Sequence, residues 1–168
     1  MKILLSESEC DVAGLKFWGS AASPSFCNWA HNYDRGQEIR TIWGQIPDDV
    51  DVLLTHGPPW TIGDYLPADQ SLIRMNPHDV DPTGEHKDML RWVGCQDLLE
   101  RVKQLENLKL HVFGHIHYSN NIFDEDGNVI GGTYLNKTIR ERLGKVFVNA
   151  SICTEGYNPK NKPILVEV

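Results

Sequence analysis

Two segments of the sequence share one construction, an apolar run that ends at a histidine beside glycine. They are Val52 Leu53 Leu54 Thr55 His56 Gly57, and His111 Val112 Phe113 Gly114 His115 Ile116 His117. The chemistry this suits is metal ligation. A buried strand fixes the backbone, its end opens on a cleft where an imidazole can reach a cation, and glycine lets the backbone come close to a ligand. His56 alone would carry little weight, because most histidines after strands are hydrogen-bonded parts of the scaffold. His115 and His117 say more: alternation along a strand places both on one face, within reach of one divalent cation or a close pair. His111, inside the second run, reads as a core or supporting residue. His31, His78 and His86 have no partner at ligand spacing, and Asp34, Asp64 and Glu155 read as surface or turn residues.

The elements that must position these histidines are short apolar runs separated by loops rich in Gly, Pro, Asn and Asp, an α/β pattern without repeats. Strands are predicted over Lys2–Leu5, Leu15–Trp18, Val50–Thr55, Leu108–Phe113, Val146–Ala150 and Ile164–Val168, several of them buried on both faces. Cys95, Leu98, Leu99, Val102 and Leu105 recur at three- and four-residue steps, which predicts a helix from Cys95 to Leu105 packed on a sheet. A shorter helix is expected over Glu38–Trp43. Asp126 Gly127 between apolar flanks marks a hairpin turn. Residues 61–87 carry three prolines, mixed charge and weak periodicity, and are expected to form one long loop.

The chain has 168 residues, 40 % of them hydrophobic, which fits one domain over 1–168. A formal net charge of -7 argues against general nucleic-acid binding, which needs clustered Lys and Arg. Cys10, Cys27, Cys95 and Cys153 form no CxxC pair, so reduced thiols are expected. The apolar stretch Met1–Leu5 is too short for a signal peptide or a membrane span, and the expected location is cytoplasmic.

Thr55 His56 Gly57 Pro58 Pro59, followed downstream by Gly114 His115 Ile116 His117, resembles the two C-terminal signature motifs of the calcineurin-like metallophosphoesterases. Phe17 Trp18 Gly19 Ser20, Trp29 Ala30 His31 Asn32 with Arg35 Gly36, Val93 Gly94 Cys95, and Val148 Asn149 Ala150 Ser151 are similar to one branch, the metallophosphoesterase-domain-containing proteins. The resemblance runs from about Gly14 to the C-terminus, with 61–87 and 130–143 as divergent stretches. It implies two divalent metals (Mn, Fe or Zn) at one end of a four-layer αββα sandwich, with a bridging hydroxide that attacks a phosphoester. By resemblance His56 and His115 bind one metal and His117 the other, and the substrate is a phosphoester small molecule or nucleotide.

The family's N-terminal motifs, a DxH, a GD that supplies the bridging aspartate and a GNH, do not occur in residues 1–55. Three neutral histidines cannot offset the charge of two divalent ions without a carboxylate bridge. The expectation is therefore a partial sandwich, lacking its N-terminal strands, that binds at most one metal weakly and self-associates or pairs with a complementary N-terminal half. Two other readings fit the same residues. One is a non-catalytic or regulatory form that keeps the scaffold. The other is a mononuclear zinc hydratase held by His56, His115 and His117.

Overall fold

The computed structural model describes residues 6–26, 29–66 and 92–168. At its centre is a six-stranded mixed sheet. Its strands in chain order are β1 (Ser8–Val12), β2 (Leu15–Ser20), β5 (Val52–Thr55), β6 (Leu110–Phe113), β7 (Asn121–Phe123) and β9 (Val146–Asn149), and their order across the sheet is β1-β2-β5-β6-β9-β7. β2, β5, β6 and β9 run parallel, and β1 and β7 are antiparallel edges. Two short parallel pairs stand apart, β3 (Ser23–Pro24) with β4 (Asn32–Tyr33), and β8 (Tyr134–Leu135) with β10 (Leu165–Val166). Three helices complete the described residues: α1 (Gln37–Trp43), α2 (Gln96–Gln104) and α3 (Lys137–Leu143).

The parallel strands are apolar at successive positions because both sheet faces are covered. Leu53, with Trp18, Phe113 and Phe147, faces α1 and α2 and packs on Ile39, Trp43, Leu98 and Val102. Val52, Leu110, Val146 and Val148 face the other way, toward Leu135, Leu143 and Val166. On this second face Phe17, Leu54 and Val112 are only partly buried.

The predicted helix over 95–105 is present, with Cys95 and Leu105 as its caps, and the shorter one begins a residue early, at Gln37. The strand predicted over Leu15–Trp18 runs on to Ser20, and the other described strands are one or two residues shorter at one or both ends. The Asp126 Gly127 turn is present too: the Asp124 carboxylate accepts from the N–H groups of Asp126 and Asn128 at 3.0 and 2.8 Å, and Gly127 takes φ 80. Some elements were not foreseen. β1 is polar and half-exposed because it is an edge strand, joined to β2 by a tight Ala13–Gly14 turn with φ 51 and 80, the positive pair such a turn requires. The stretch 130–143, expected to be a divergent loop, holds β8 and α3.

The predicted strand Lys2–Leu5 and most of the predicted loop 61–87 lie outside the described residues. Cys10, Cys95 and Cys153 are free thiols. Among the described residues no helix is long and apolar enough to cross a membrane.

Candidate metal centre

The four parallel strands end together: Ser20 is level with Thr55, and Phe113 with Asn149. Ligand sites in open α/β sheets collect at this edge, and both predicted histidine segments leave the sheet here. The His56 N–H donates to the Ser20 carbonyl at 3.1 Å, and the His56 carbonyl accepts from the Gly114 N–H at 3.0 Å. These bonds tie the two turns to each other. The imidazoles of His56 and His115 stand with ring centroids 4.7 Å apart at 51°.

His115 sits in a strained backbone. Its φ is 67, and the Ile116 N–H reaches back to the Gly114 carbonyl at 2.7 Å, which closes a γ-turn with His115 at its apex. A β-carbon in that region costs about 1–3 kcal/mol and persists where the surroundings fix it. Here they do. Asn149, fully buried, donates to the Ile116 carbonyl at 2.8 Å and the Gly63 carbonyl at 3.2 Å, and the Ser151 N–H closes on its Oδ1 at 3.0 Å.

Strand alternation does not continue past Phe113, so it does not set how His117 stands relative to His115. The γ-turn at His115 is followed by a single 3-10 turn over His117–Ser119, and the His117 ring packs edge-on against Tyr157, with centroids 5.1 Å apart. Among the described residues no three His, Cys, Asp or Glu side chains form a group that encloses a cation. The structure brings the His56 and His115 rings together, with the His117 imidazole close enough to act electrostatically on His115.

Electrostatics favour neutral rings at the pair. Burial pushes the His115 imidazole down to about 4, and the nearby His56 and His117 imidazoles act in the same direction. His56, exposed on its outer side, is also held below its ordinary value, first by partial burial and second by the His31 imidazole. Proximity to His31 was not foreseen. Its loop carries it there with φ 59, and the same loop lays the Phe26 ring edge-on to His115, centroids 6.2 Å apart. No sequence spacing signals these contacts, because β3 and β4 make them by pairing.

A cavity of about 390 Å³ opens beside His56, lined by Ser6, Ser20, Leu54, Thr55 and neighbouring residues. At its margin the Glu7 carboxylate accepts from the Ser20 hydroxyl at 2.6 Å. A larger groove of 550 Å³ between α1 and α2 lies away from the histidines, and its charges are paired, Arg40 with Asp97 and Arg101 with Asp48.

Two supporting groups lie beneath the site. His111 is fully buried, and burial pushes it down to about 3. Its Nε2 lies 2.8 Å from the Thr55 hydroxyl, which donates to the Gly57 carbonyl at 2.7 Å. Asp64, expected to be a surface or turn residue, is fully buried, and its Oδ2 accepts from the Thr61 and Gly94 N–H groups at 3.0 and 2.8 Å. Its Oδ1 has no partner among the described residues. Burial raises this carboxyl from 3.8 to about 6, against the opposing pull of those two N–H groups and of Arg35.

The sign of the Asp64 effect follows from where the proton binds. Between about pH 4 and 6 the folded chain holds a proton that the unfolded chain releases, so stability falls as pH rises through that window and is level above it. Asp64→Asn removes the titration. Its stability relative to the parent chain is expected to rise by roughly 2–3 kcal/mol between pH 4 and 7.5, measured as urea unfolding at both pH values. A difference that does not vary with pH would refute the assignment.

No family model matches the chain. It is 36 % identical over 166 residues to the proteins named metallophosphoesterase domain-containing protein 1 of Homo sapiens and Mus musculus, covering 99 % of this chain and 40 % of each of them. The similarity supports the metallophosphoesterase branch. A UPF0046 protein of Caenorhabditis elegans is 30 % identical, again over 166 residues, covering 99 % of this chain and 32 % of that protein. The chain thus spans less than half the length of these curated relatives.

Proposed function

We propose that this chain carries part of a metal-dependent phosphoesterase site, in which His56 and His115 hold one divalent cation. The observation that carries this reading is the pair of imidazoles 4.7 Å apart at the ends of two parallel strands, in a relative of metallophosphoesterase-domain proteins. Two neutral nitrogens suit Zn, Mn or Fe. As two ligands of one cation the pair fits. For a carboxylate-bridged pair of cations the described residues do not fit, because no acidic group joins the histidines.

A divalent cation held by this pair supplies Lewis-acid polarisation of a phosphoryl oxygen. The chain's own residues contribute binding and shape. Asn149 and the γ-turn aim His115, the Ser20 and Gly114 bonds hold His56, and the cavity beside His56 offers space for one substituent of a phosphoester, whether a small molecule or a nucleotide. His117 serves a second cation whose other ligands come from a complementary half. The partly buried face of Phe17, Leu54 and Val112 is where the second sheet of an αββα sandwich would pack. The location we infer is cytoplasmic.

The test is hydrolysis of bis(4-nitrophenyl) phosphate in Mn(II) or Zn(II), by the chain alone and mixed with the N-terminal half of its human relative. Turnover is expected in the mixture only, and is expected to vanish in His56→Ala. Cation-dependent turnover that survives His56→Ala would overturn the reading.

A further inference from the structure

We propose that His111 is a positioning residue for the candidate cation site: through the Thr55 hydroxyl, its imidazole holds the Thr55–Gly57 turn in the shape that presents His56 to His115. The argument begins with the single proton of a hydroxyl. Thr55 Oγ1 spends that proton on the Gly57 carbonyl at 2.7 Å. Its 2.8 Å contact with His111 Nε2 can then form only if Nε2 carries the hydrogen. The turn thereby fixes the tautomer, and Nδ1 is left as a bare acceptor with no partner among the described residues.

That arrangement is a poor way to fill a core. His111 is fully buried, with the Phe113 and Phe147 rings edge-on to it at centroid distances of 5.2 and 5.7 Å. An apolar side chain there would bury no orphan acceptor. What the imidazole supplies and a phenyl ring cannot is an N–H aimed from β6 at the residue preceding His56, across the Leu53–His111 register of β5 and β6. The described hydrogen bonds of His56 itself are through backbone alone, to Ser20 and Gly114. His111 and Thr55 therefore make the one described side-chain link between the buried sheet and the Thr55–Gly57 turn.

Three variants of the full chain test this: His111→Phe removes the N–H, His111→Gln offers an amide N–H in a similar place, and Thr55→Val removes the relay. Two readouts are used, Co(II) titration and amide hydrogen exchange at His56. The Co(II) readout rests on the reading of His56 and His115 as ligands, while the exchange readout does not. His111→Phe and Thr55→Val are expected to weaken Co(II) binding on the order of 10- to 100-fold and to speed His56 exchange. The double variant should be no weaker than either single one, because both cut the same link. His111→Gln is expected to restore both properties toward the parent chain.

Unchanged affinity and exchange in His111→Phe would overturn the proposal, as would His111→Gln behaving like His111→Phe. If the parent chain binds no Co(II), the cation reading fails. Exchange then still decides the proposal, with faster exchange in Thr55→Val but not in His111→Gln supporting it and unchanged exchange in Thr55→Val refuting it. The Thr55→Val and His111→Gln pair also carries the test if His111→Phe does not fold.

Discussion

Replacing His115 with glycine is expected to abolish cation binding while leaving the fold as stable as before, or more so. Most ligand substitutions confuse loss of the ligand with damage to the scaffold. This position separates the two, because His115 holds φ 67, where a β-carbon is strained and glycine is not. Relief of that strain offsets the packing lost beside His56 and Phe26, so stability should stay within about 1 kcal/mol of the parent chain or rise by that amount. Affinity for Co(II) should fall by on the order of 100-fold or more, beyond what loss of an outer partner brings. Thermal unfolding checks the first expectation and spectroscopic titration the second. His115→Gly that unfolds readily would show that the ring is mainly a packing element.

The second large effect is expected at Gly94. The turn after His56 is braced against residues 93–95: the Cys95 N–H donates to the Pro58 carbonyl at 3.0 Å, the Trp60 N–H to the Cys95 carbonyl at 3.1 Å, and the Gly94 N–H to Asp64 Oδ2 at 2.8 Å. A β-carbon at Gly94 would stand 2.3 Å from the Pro59 carbonyl oxygen and 2.7 Å from Asp64 Oδ2. The first of those atoms is backbone held by its neighbours, so the clash cannot be relieved by turning a side chain. Gly94→Ala is expected to cost about 3 kcal/mol. For a chain of this size that lowers the unfolding midpoint by roughly 10 °C. Loss of less than about 0.5 kcal/mol, the range of an ordinary surface change, would mean that this brace is not closely packed.

Much of this arrangement was legible because it follows from local rules. β5, β6 and β9 announce themselves as apolar runs buried on both faces, and α2 by its three- and four-residue spacing. The meeting of His56 and His115 follows from two such runs ending at the same sheet edge. The break in alternation between His115 and His117 was not legible, because alternation holds only while the chain stays extended, and the Gly114–Ile116 γ-turn ends that at His115. Phe26 and His31 reach the site through the pairing of two-residue strands, a contact between segments that neither segment encodes alone. Asp64 looked like a loop carboxylate, and only the arrival of the Gly94 and Thr61 N–H groups makes its burial tolerable. α3 lacks a broad apolar stripe, although its ends were marked: Asn136 caps the Ile139 N–H at 2.9 Å and Gly144 follows the helix with φ 74. β1 carries no apolar pattern because an exposed edge does not demand one.

The most direct measurement of the central claim is the stoichiometry of Co(II) bound to the parent chain, followed by its visible absorption, beside His56→Ala, His115→Gly and His117→Ala. One weakly held equivalent is expected, lost in the first two variants and retained in His117→Ala. Two well-occupied equivalents in the parent chain, or one that persists in His56→Ala, would contradict the assignment of the cation to His56 and His115.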